Sequence, residues 1–188
     1  MLAANAPTVA GQSTGPCPPA SWSRESLATL KSSGWTMPDA TRRDALARGM
    51  IACLASPDPE LRDGLAFEPL SAWMRGQQLS ESLVAETGHR LLPWIAPSAA
   101  DSLGFAKPFA ALVLPEVARV DRLHPILTRA ERSAFLTGGV TYLASISDYR
   151  EFDSVSGWRH GVAHAADLLM QLALNPALGA AERSITTS

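Results

Sequence analysis

The residues best suited to chemistry lie between Gly157 and Leu172. The run Gly157-Trp158-Arg159-His160-Gly161-Val162-Ala163-His164-Ala165-Ala166-Asp167 sets two of the four histidines four residues apart, with an aspartate three further on. A helical residue advances by about 100°, so His160, His164, Asp167 and Gln171 are expected on a strip roughly 60° wide. Histidines at i and i+4 beside a carboxylate can aim converging lone pairs at a divalent metal. Glu68, Glu116, Asp121 or His124 would have to complete such a set. The metalloprotease helix H-E-x-x-H needs a glutamate after its first histidine, and position 161 is glycine. Two readings without metal stand beside this one: a polar ligand site, and histidines that simply hydrogen-bond to their neighbours.

Arg150, with Asp148, precedes that stretch. Its permanent, fork-shaped charge suits an anionic ligand, and the simpler reading is a salt bridge within the loop. The candidate ligand-binding set is therefore Arg150, Trp158, His160, His164 and Asp167. The candidate metal set is His160, His164 and Asp167, and no other cofactor is expected. Arg62-Asp63 reads as helix-start capping and surface pairing. Trp73 and Trp158 read as core or groove wall. There is no Gly-rich phosphate loop and no G-x-S-x-G nucleophile turn, so no catalytic residue is assigned.

The scaffold around these residues is expected to be helical. The chain has 188 residues, 46% hydrophobic but only 6% aromatic, a composition carried by alanine and leucine. The net charge of −2 supplies no basic stripe for nucleic acid. No apolar run reaches the ~20 residues of a membrane span, and the start lacks the basic and apolar regions of a signal peptide. As written, the chain reads as soluble and cytoplasmic, or periplasmic if its true start lies upstream. Cys17 and Cys53 read most simply as two unpaired thiols, and would pair if the protein were exported.

Residues 1–20 read as a disordered tail, 21–175 as one helical domain and 176–188 as a frayed end. Seven helices are expected, without a sheet. Ser23 caps the first, and the second spans about 39–55. The third covers about 59–75 and is kinked or divided by Pro69. A fourth spans about 81–92. The fifth, about 105–121, carries Phe109, Leu112, Val113, Val117 and Val120 at helical spacing. Thr128-Arg129-Ala130-Glu131 is a capping box that opens the sixth. The seventh spans 157–174. Phe109, Leu112, Val113, Val117, Leu143, Val162, Leu169 and Leu172 are expected in the core. Helix pairs of ~35–45 residues suit stacked HEAT-like hairpins, with an irregular helical bundle as the alternative.

The blocks Asp148-Tyr149-Arg150 and Gly157-Trp158-Arg159-His160 through Asp167-Leu168-Leu169 resemble the signature of the bacterial domain of unknown function 2785 family. Leu61-Arg62-Asp63, with Phe67 and Trp73, is similar to that family's first block. Gly104-Phe105 to Leu112 is similar to its middle block. The resemblance covers about 40–175 and implies an all-helical, HEAT-like fold without an established activity. Glu151 departs from the signature, which has glycine there. Family members continue with further helices, which implies a face left uncovered here or a homo-oligomer through the C-terminal helix. The leading functional expectation is a scaffold binding a protein or small molecule at a His/Asp site. The alternative is a metal-assisted hydrolase using His160, His164 and Asp167.

Overall fold

The structure, a computed structural model, describes residues 15–179. Local signals set most element ends. Helix α1 (Arg24–Ser32) opens with the Ser23 hydroxyl on the Ser26 N–H, and α2 (Ala40–Met50) opens with Asp39 on the Arg42 N–H. A 3₁₀ turn (Ile51–Ala55) follows α2. A π-helix (Glu60–Phe67) then runs into α3 (Glu68–Arg75), so the predicted third helix is divided next to Pro69. Proline is tolerated there because a helix's first N–H groups have no intrahelical partner. Ser80 caps α4 (Glu81–Leu91), which tightens into a 3₁₀ turn at Leu92–Ile95. The Thr128/Glu131 capping box opens α6 (Arg129–Ser145) as the sequence predicts.

Helix α5 (Ala106–Leu123) is the core element. Thirteen of its 18 residues are buried, and it packs against α3, α4 and α7 (Gly161–Ala173). Phe109, Val113, Val117, Leu169 and Leu172 are buried as expected, while Leu112 and Leu143 are partly buried. Val162 is not core: it is 43% exposed, because α7 buries the side carrying His164, Ala165, Leu168 and Leu172 instead. No helix among the described residues is long and apolar enough to cross a membrane.

The fold is helix-dominated, with one addition that the sequence reading lacks. Strands β1 (Phe152–Asp153) and β2 (Gly157–Trp158) pair antiparallel, Phe152 opposite Trp158. The Asp153 carboxylate accepts the Val155 and Ser156 N–H groups and closes the turn. Consequently α7 starts at Gly161 and not at 157.

Cys17 and Cys53 form a disulfide, Cα atoms 5.1 Å apart, which overturns the reading of two unpaired thiols. The 3₁₀ turn holds Cys53 inward, and Pro19 seats against Gly49 on the neighbouring helix. Of the two predicted tails, 1–14 and 180–188 lie outside the described residues. Residues 15–20 are tied down by that disulfide, and Leu178 is buried against the core.

Candidate functional site

Arg62 is fully buried, which corrects the surface-pair reading. Its Nε and Nη2 donate to the Asp63 carboxylate, Nη1 donates to the Ser56 and Pro57 carbonyls, and Nη2 also donates to the Ser156 carbonyl. All five donors of a guanidinium are thereby used, which is the condition for burying one. Its plane stacks over the Phe105 ring, 4.1 Å from the centroid. Arg159 stacks over the same ring at 4.2 Å. Two guanidiniums cannot occupy one face, so Phe105 lies between them, a cation–π arrangement on both sides. Gly157, at φ +75°, lies beneath Arg62: an added Cβ would stand 2.9 Å from Nη2.

A cleft of about 360 Å³ opens beside Arg159. Asp101, Lys107, Tyr142, Asp148 and Arg150 line it, with Gly104 and Gly161 in its wall. The Asp101 carboxylate accepts four N–H groups, from Gly104, Phe105, Ala106 and Lys107, and so occupies the positive end of α5. Asp148 takes a bidentate grip from Arg150, which with Arg159 nearby keeps its carboxyl below the usual range. Gly104, at φ +74°, admits that pair: an added Cβ would sit 3.3 Å from each partner. Burial raises the Tyr142 phenol well above its ordinary pKa, so it remains a donor in the wall of the cleft. Arg159 has a buried Nε without an acceptor; the Asp148 oxygen is 3.9 Å away, too far to bond.

The five expected ligand residues do not share this cleft. Arg150 lines it. Trp158, His160 and His164 instead form an aromatic ladder with Phe152 and Phe109. Successive centroids from Phe152 through Trp158, His160 and His164 to Phe109 are 4.9, 4.4, 6.0 and 6.3 Å apart. His160 has left the predicted helical strip. It is the left-handed residue (φ 51°) at which the chain turns from the hairpin into α7. Asp167 lies in a separate groove between α5 and α7, with Arg75, Glu116 and Arg119.

His164 is buried, and its Nδ1 lies 2.9 Å from the Pro108 carbonyl. A carbonyl only accepts, so Nδ1 carries the proton and Nε2 the lone pair. Burial lowers its pKa to about 4, against the Pro108 bond, which favours the charged form. Three of the four proposed outside metal ligands are engaged elsewhere: Glu68 with Lys31 and the Trp35 N–H, Glu116 with Arg75, Asp121 with Arg132. Among the described residues, no three His, Cys, Asp or Glu side chains are grouped to hold a metal ion.

Residues 95–186 match the family model described as protein of unknown function (DUF2785). The chain resembles that family over this stretch. Comparison with curated proteins and with solved structures gives no match. The motif blocks quoted for the resemblance meet in space: Arg62-Asp63, Gly104-Phe105, Asp148/Arg150 and Gly157–Arg159 all contribute to the Phe105 cluster and its cleft. Sequence reasoning passed over Arg159, Phe105 and Tyr142. Arg159 was the findable one, because it is the only cation inside the histidine motif.

Proposed function

We propose that the chain is a binding module whose cleft takes a small carboxylate. The observation that carries this is the Arg159 Nε, buried with no acceptor. An unsatisfied buried donor of this kind costs roughly 1–3 kcal/mol, and an anion would recover that cost. The cleft's three cations, Lys107, Arg150 and Arg159, face two carboxylates, Asp101 and Asp148, which leaves a surplus of one positive charge for one ligand charge. The Tyr142 hydroxyl offers a second donor. Because α5 packs on α3, α4 and α7 at once, whereas solenoid repeats touch only their neighbours, the irregular bundle describes this scaffold better than open HEAT-like stacking. No observation favours the hydrolase reading. The Cys17–Cys53 bond supports an oxidising compartment over the cytoplasm.

Calorimetric titration with acetate, malonate and inorganic phosphate tests the reading. Saturable carboxylate binding is expected, at least tenfold weaker in Arg159→Lys and in Tyr142→Phe, with melting midpoints near wild type. No binding by any of the three probes, or binding unchanged in both variants, would sink it.

A further inference from the structure

Helix α7 is apolar on both sides. Leu168, Leu169 and Leu172 are buried, yet Val162, Met170 and Leu174 on the other side are 43%, 48% and 57% exposed, and Ala166 among them is exposed too. Residues four apart form one ridge of a helix. Positions 162, 166, 170 and 174 are such a ridge. The sizes along its centre are symmetric: alanine at position 166, with the apolar Val162 and Met170 four positions away on either side. A second ridge laid antiparallel about a twofold axis at Ala166 would therefore match the first. Val162 would meet Met170 of the other copy, with the two alanines letting the backbones approach.

The charges beside the ridge fit the same operation. Arg75 pairs with Glu116, and Arg122 donates to Gln171. The side chains of Arg119 and Asp167, in the groove on this flank, have no hydrogen-bond or ion-pair partner among the described residues. The twofold operation returns this flank onto itself, so Arg119 of each copy comes to face Asp167 of the other. We infer that the outer face of α7 is an isologous dimer interface, and that its partner is a second copy of this chain. A 13-residue helix is ~20 Å long and covers well under the ~800 Å² per partner of a standard interface, so the association is concentration-dependent.

Sedimentation equilibrium of the full, disulfide-bonded chain is expected to show a monomer–dimer equilibrium. Met170→Glu, at an already exposed position, should be monomeric at every concentration with an unchanged melting curve. A charge test adds specificity: Asp167→Arg should weaken the dimer at least tenfold, and adding Arg119→Asp should restore it. Register is tested by oxidation. Helices packed through alanine approach to about 9 Å, which with a Cα radius of ~2.3 Å puts facing Cα atoms ~4.4 Å apart, within disulfide reach. Ala166→Cys should then give a covalent dimer on a non-reducing gel, and Ala163→Cys should not. A monomer at all concentrations, a dimer indifferent to Met170→Glu, or cross-linking preferred at 163 would each overturn the proposal.

Discussion

At the scale of single residues, burial decides what His164 does. The sequence places a carboxylate, Asp167, three residues away, which would make the imidazole more basic. In the structure burial outweighs that attraction and lowers the pKa to about 4. The sign of the stability effect follows. Above pH ~6.5 the ring is neutral both folded and unfolded, and it contributes nothing to the pH dependence. Between ~6.5 and about 4 only the unfolded chain takes up the proton, so stability is lost as the pH drops, by roughly 3 kcal/mol over the window. An NMR titration should show the His164 ring still neutral at pH 5.5, and His164→Gln should flatten that part of the stability profile. A ring titrating near 6.5 would contradict the burial described. The histidines stood out in the sequence because residue type and spacing are local properties. Arg62 and Arg159 did not, because what makes them unusual is a shared ring, Phe105, supplied by another part of the chain.

At the scale of elements, caps and prolines were legible for the same local reason: Ser23 and Thr128 each open a helix with a side chain bonded three residues on. The hairpin was not, since two-residue strands carry no alternation to read. Nor was the clasp at Asp121 that joins three elements. Its carboxylate accepts from the Ile126 and Leu127 N–H groups, from Arg132 at the start of α6, and from Asn175 just past α7. Burial opposes its charge, but Arg132 and the two backbone donors outweigh burial and keep the carboxyl below its ordinary range. Asp121→Ala would leave the Arg132 charge buried and unpaired, a loss of about 3–5 kcal/mol. Denaturant unfolding should show that loss, and a cost below ~1 kcal/mol would mean the clasp is replaceable by water.

At the scale of the whole molecule, the Cys17–Cys53 bond closes a 36-residue separation near the chain's start. In the chain-entropy account, such a loop is worth about 4 kcal/mol through the unfolded state. Thermal melting with and without reductant should differ accordingly, and Cys17→Ser with Cys53→Ala should match the reduced protein. Coincident curves would show that the cross-link adds nothing. Sequence left this pairing open because two cysteines alone carry no geometry.

Arg62 also bears on how divisible the protein is. Its bond to the Ser156 carbonyl spans 94 positions, and its stack on Phe105 reaches into the stretch that matches the family model. The hairpin's anchor therefore comes from upstream of residue 95. Residues 95–186 are recognisable by resemblance, yet cut there the segment would leave one face of Phe105 bare and the hairpin carbonyl without its donor. Resemblance and mutual support draw different borders in this chain.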